Sequence, residues 1–161
     1  MLQIRESIKA GMNFGFTSGV ITTLGLMVGL YSGTGSMLAV IGGILTIAIA
    51  DAMSDALGIH ISKEGENTHS EKDIWLATGA TFLSKFLMSI TFLIPVLLFN
   101  LTMAVIVSIG WGLIVLSAMS YYLARVQNVS PVRVIGEHIS IAALVVATTY
   151  QVGNWISATF S

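Results

Sequence analysis

The chain has 161 residues, of which 55% are hydrophobic and 9% charged, with a formal net charge of −1 and a mean hydropathy of +0.87. Ordinary soluble domains carry about 25% charged residues, so this chain lacks the charge to coat a water-facing surface, and lipid is the solvent that fits. No basic patch suggests nucleic acid, and the absence of cysteine excludes disulfides, thiolate metal sites and cysteine nucleophiles.

A hydrocarbon core about 30 Å thick needs about 20 apolar residues per helix. The N-terminus, MLQIRESIK, is a short amphipathic lead-in without a signal-peptide cleavage pattern, so the first apolar segment is expected to stay as an anchor. That segment covers residues 11–31 and ends at the turn sequence SGTGS. The second span is predicted at 37–61, followed by a polar loop from Ser62 to Lys72. The next apolar stretch is long enough for two helices, and Pro95 and Asn100 are its strong breakers. Spans at 77–98 and 102–123 follow, with a tight turn between them. After the loop from Arg125 to Arg133, a fifth span is predicted at 136–156. The expected architecture is all-α: one transmembrane domain, residues 1–161, with five helices.

Charge orients it. Arg5, Lys9, Lys63, Lys72, Arg125 and Arg133 fall in connections that a five-span count puts on one side, and the opposite connections carry no Lys or Arg. The positive-inside rule makes that side cytoplasmic, with the N-terminus inside and the C-terminus outside. Lys85 falls in the cytoplasmic half of span three, where its stem can snorkel toward water.

Most of the eight acids belong to loops or helix ends, but Asp51 and Asp55 do not. At 1.5 Å per residue they lie about 21 and 27 Å into span two, and their i,i+4 spacing puts both carboxylates on one face. A charge at that depth costs about 2.5–3.5 kcal/mol on insertion scales. Two stacked carboxylates also repel, so something must compensate. One reading is a cation or proton path, since oxygen ligands suit hard divalent ions. The other is an ion pair with Lys85, the candidate counter-ion, although one lysine cannot neutralise two aspartates. Ser18 and Thr22 are candidate pathway-lining hydroxyls in span one. Gly11, Gly15 and Gly19 have the i+4 spacing of close helix packing. His60 and Glu64 share a face if span two extends that far, and are candidates for a metal-collecting cytoplasmic mouth. No phosphate-binding loop, nucleophile elbow or HExxH motif occurs, so no enzyme and no resident cofactor is expected.

Several segments together resemble the vacuolar iron transporter family. They are GFTSGVITTLGLMVG at 15–29, ADAMSDALGIHIS at 50–62 followed by KEGE at 63–66, Ile94-Pro95, and ATTYQVG at 147–153. Their order spans nearly the whole chain and reproduces the five-span layout. The resemblance implies a homodimer in the lipid bilayer that moves Fe²⁺ or Mn²⁺ out of the cytosol in exchange for protons. At the residue level this chain departs from the family pattern. Ser18 stands at the family's first-span aspartate, Asp55 at its second-span methionine, Ile59 at a glutamate, and Asp51 at a small residue. The acid-rich cytoplasmic insert is reduced to a loop. Trading a soft sulfur ligand for carboxylate favours harder ions such as Mn²⁺.

The expectation is therefore a proton-coupled transporter of divalent metal ions in the cell membrane, homodimeric, with Asp51 and Asp55 as its site. Two alternatives stand beside it: a non-transporting membrane scaffold with a buried Asp/Lys network, and a transporter or channel for another cation.

Overall fold

The computed structural model describes residues 2–66 and 68–160, with side chains from Arg5 onward. The side chains that would make the first residues an amphipathic lead-in lie partly outside the described residues, as does the terminal Ser161. Among the described residues every regular element is helical. They are α1 (Leu2–Thr34), α2 (Met37–Thr46), a π-helical turn (Ile47–Asp51), α3 (Ala52–Gly65), α4 (Glu71–Thr91), α5 (Leu93–Leu98), α6 (Leu101–Gln127) and α7 (Pro131–Phe160).

By length and composition five continuous helical segments can cross a membrane: Arg5–Thr34, Met37–Gly65, Glu71–Leu98, Leu101–Gln127 and Pro131–Phe160. Each extends beyond the apolar stretch that predicts it, because a helix need not stop where hydrocarbon does. Segments of 27 to 30 residues are about 40–45 Å long, against a core of about 30 Å. The polar loop after span two shrinks accordingly, since α3 runs on to Gly65 and α4 starts at Glu71.

Local chemistry explains the interruptions. Gly35 adopts φ +59° after α1, a conformation glycine takes at no steric cost. Ser70 caps α4: the Asp73 backbone N–H donates to Ser70 Oγ at 3.3 Å, and that hydroxyl donates to Asp73 Oδ2 at 2.6 Å. Pro95 has no N–H and its ring crowds the carbonyl four residues back, which is Thr91, where α4 ends. Asn100 begins α6 by accepting the Met103 N–H at 3.1 Å. Asn128 ends it in the left-handed region at φ 55°, and Pro131 opens α7 in the position that needs no N–H.

The chain divides into two compact units, Met1–Gly19 with Leu45–Thr91, and Val20–Ile44 with Phe92–Ser161. In the second, Leu24, Met27, Val40, Ile44, Phe92, Val96 and Leu116 form the core, and α6 packs against α5 and α7. In the first, α3 packs against α4, with Ala48, Ala52, Ala56 and Ala77 buried between larger residues. Gly11, Gly15 and Gly19 bring α1 onto α4 in the same unit. A Cβ on Gly15 would collide with Ser84 Oγ and stand 2.5 Å from the Thr81 carbonyl oxygen, and one on Gly19 would stand 3.1 Å from Met88 Cβ. Backbones that approach this closely leave little room for a side chain on that stripe.

Gly15→Ala is therefore expected to destabilise by about 1–3 kcal/mol through overpacking. Gly58→Ala, where a Cβ meets nothing within 4 Å, is expected to be neutral or stabilising. Thermal unfolding of the purified protein in detergent checks both, and equal melting temperatures for the two variants would remove the close-approach argument.

Candidate functional site

The site begins with the π-helical turn. Residues 47–51, IAIAD, form one turn in which the Ala52 N–H donates to the Ile47 carbonyl, five residues back, as well as to Ile49. One residue more than an α-turn is accommodated, so every later position is rotated by about 100° from an uninterrupted helical count. Asp51 is the last residue of this turn, and Asp55 lies one turn into α3. Asp51 stands 14 residues from each end of the Met37–Gly65 helix, at its middle.

Lys85 is at the middle of the neighbouring helix, 14 residues from Glu71 and 13 from Leu98. Its side chain is 0% exposed. It does not snorkel, as its place in span three suggested; it turns toward the aspartates. Lys85 Nζ lies 2.5 Å from Asp55 Oδ2 and 2.5 Å from Asp51 Oδ2. It also donates to Ser18 Oγ at 2.9 Å, and the Ser18 hydroxyl passes its own proton to Asp55 Oδ2 at 2.6 Å. Ser18, Asp55 and the lysine thus form a closed ring of hydrogen bonds, strengthened because each donor is polarised by the next.

The two carboxylates are held differently. Asp55 Oδ2 accepts hydrogen bonds from both Lys85 and Ser18. Asp51 Oδ2 is close enough for an ion pair, yet it accepts no hydrogen bond, so it is held by a Coulombic contact. Asp51 is also the more open, with its side chain 36% exposed against 21% for Asp55. With both aspartates ionised and Lys85 protonated, the cluster carries one surplus negative charge.

The glycine stripe is what permits this. Gly15 and Gly19 set α1 against Ser84, Lys85 and Met88 of α4, and Ser18 is carried into reach of the ammonium between them. Small residues on α3, Ala52 and Ala56, are buried on the aspartate-bearing helix, which packs against α4.

The other predicted site residues lie elsewhere. Thr22 is half-buried in the second unit. Thr78 Oγ1 gives its single proton to the Ile74 carbonyl at 2.8 Å, so in its 3.0 Å contact with His60 Nδ1 the imidazole is the donor. His60 stacks edge-on against Trp75 at 4.6 Å and lines an apolar cleft of about 370 Å³ with Met53, Leu57, Trp75 and Phe82. Glu64 is exposed and makes no hydrogen bond to His60, so the structure does not bring this pair together. Lys63 and Glu66 approach His69 instead, at 3.5 and 3.0 Å. Asp73 is buried in the first turn of α4.

Among the described residues no three or more His, Cys, Asp or Glu side chains gather in a metal-ligating group. The cluster offers two carboxylates and one hydroxyl. Those oxygens suit a hard cation that completes its shell with water or carbonyls. The sequence carries no local signal for the Ser18 contact or for the π-turn; the i,i+4 aspartates and the solitary intramembrane-type lysine are the signals it does carry.

Removing Lys85 leaves two carboxylates facing each other. Lys85→Met is expected to cost about 2–4 kcal/mol, below the full penalty for a sealed pair because neither aspartate side chain is fully buried. Adding Asp55→Asn should restore most of that loss. A double-mutant cycle by thermal unfolding measures the coupling, and strictly additive effects would mean that the ion pairs contribute nothing.

Compared with protein-family models, curated proteins and solved structures, the chain has no match in any of the three.

Proposed function

We propose that this chain is an integral membrane transporter of divalent metal cations, of which Mn²⁺ and Fe²⁺ are the leading substrates. In this reading it spans the cell membrane five times with its N-terminus in the cytosol. It works as a homodimer and exports metal in exchange for protons carried by the same carboxylates. The observation that carries the reading is the gathering of two aspartate side chains around one lysine at the middle of long apolar helices. A net charge there is costly, and proteins keep such groups chiefly where ions or protons move. The greater side-chain exposure of Asp51 relative to Asp55 supports it as the carboxylate that first meets a cation. The family resemblance of residues 15–29 and 50–66 supports the same class of substrate.

A second reading has one observation in its favour. Lys85 is fully buried and supplied with three oxygen partners, as expected of a structural network in a non-transporting scaffold.

Flux measurements separate the two. Proteoliposomes with an imposed pH gradient are expected to take up Mn²⁺ or Fe²⁺, and Asp51→Asn/Asp55→Asn should abolish the flux while remaining folded. Folded wild-type protein that moves neither ion would leave the scaffold standing. Topology is tested separately, because the chain contains no cysteine. Single replacements Ser36→Cys and Glu66→Cys are expected to react with an impermeant thiol reagent from opposite faces of the membrane, Glu66→Cys from the cytosolic one. Labelling of both from the same face would overturn the five-span orientation.

A further inference from the structure

The proposed reading leaves Lys85 without a role beyond charge compensation, yet its ammonium lies where a cation would have to bind. Its Nζ sits 2.5 Å from an oxygen of each aspartate and 2.9 Å from the Ser18 hydroxyl. The oxygens that converge from both aspartates and Ser18 on one point, Oδ2 of each carboxylate and Oγ of the hydroxyl, are already turned toward the lysine. Ser18 donates to Asp55 while accepting from Lys85, which fixes both acceptors around the ammonium. A metal ion cannot share that space with the ammonium at contact distance, so loading requires the lysine to leave.

We infer that Lys85 is a tethered competitor at the cation site and that it makes the site selective for divalent over monovalent ions. The inference rests on the transport reading above. The physical argument is one of exchange. A monovalent ion that displaces the ammonium replaces one positive charge by another; it gains nothing electrostatically and loses the hydrogen bonds that Asp55 and Ser18 make with Nζ. A divalent ion brings one charge more, and the cluster has one surplus negative charge to meet it. The asymmetry between the aspartates provides a route. Asp51, more exposed and held without a hydrogen bond, can engage an arriving ion before the stronger contacts to Asp55 and Ser18 are broken. Because the competitor is covalently attached, it returns when the ion departs. Apparent affinity is therefore reduced by the fraction of time the oxygens are free of the lysine, and release is correspondingly easier.

The test is equilibrium binding of Mn²⁺ to purified protein in detergent, by calorimetry, with and without added Na⁺. Three proteins are compared: wild type, Lys85→Gln and Lys85→Arg. The glutamine amide can still donate to a carboxylate, which supports folding without charge. Lys85→Gln is expected to bind Mn²⁺ about tenfold tighter or more than wild type, since the competitor is gone, and its binding should become sensitive to Na⁺. Lys85→Arg keeps the charge and is expected to bind no tighter than wild type, with the indifference to Na⁺ retained. Folded Lys85→Gln that binds Mn²⁺ with unchanged or weaker affinity overturns the inference while leaving the transport reading intact. Tighter binding by Lys85→Arg overturns it too, and decides the matter if the glutamine variant does not fold. If neither wild type nor Lys85→Gln binds Mn²⁺, the site is not a metal site and both readings fall together.

Discussion

The salt-bridged cluster of Ser18, Asp51, Asp55 and Lys85 is the constraint around which the first unit is arranged. An ammonium with no exposure to solvent can persist only where anionic oxygens surround it, since a buried unpaired charge costs several kcal/mol. The helices that carry those oxygens must therefore lie within side-chain reach of α4 at that one level. The glycines on α1 serve this approach, and the hydroxyl of Ser18 completes the ring. The cluster is a weak source of stability, because Coulombic attraction is set against the desolvation of three charged groups. Its strength is geometric, since it fixes which residues of the three segments stand opposite one another.

The π-turn shows how finely that geometry is set. Without the additional residue at Ile47–Asp51, α3 would be rotated by about a quarter-turn relative to an uninterrupted helix. Inserted turns of this kind recur at functional sites, and this one ends on a member of the cluster. Asp51 is consequently both the end of an irregular backbone segment and the carboxylate held by charge alone. Asp55, one turn into regular α-helix, has the better hydrogen bonds. Two residues of the same type on the same helix thus acquire different roles from their backbone and their neighbours.

The proposed transport activity depends on the imbalance in this cluster more than on its ligand count. Two carboxylates and a hydroxyl make a poor cage for a structural metal, whose sites are closed by protein ligands alone. A transported ion needs the opposite: oxygens that bind, and a means of letting go. A lysine already in place provides the second without a further moving part. The pair of acids on the second helical segment delivers two carboxylates to one place, and the lysine offsets the excess.

Read alone, the sequence determined five long apolar helices, their breaks at Pro95 and Asn100, the close-packing stripe of Gly11, Gly15 and Gly19, and the shared face of Asp51 and Asp55. Each depends on residues within a few turns of one another, where hydropathy, backbone preference and the 3.6-residue repeat act directly. It also offered two rival partners for the aspartates, a cation and Lys85, without choosing. Helix ends were less legible, because polar residues such as those at 62–65 can extend a helix into water at little cost. The contacts that define the site were decided only by tertiary structure. Lys85 is 30 residues from Asp55 and 67 from Ser18, and nothing local in the apolar run of residues 47–50 marks a π-turn. Such contacts depend on how closely separate helices approach and at what rotation, and those follow from packing along the whole of each helix.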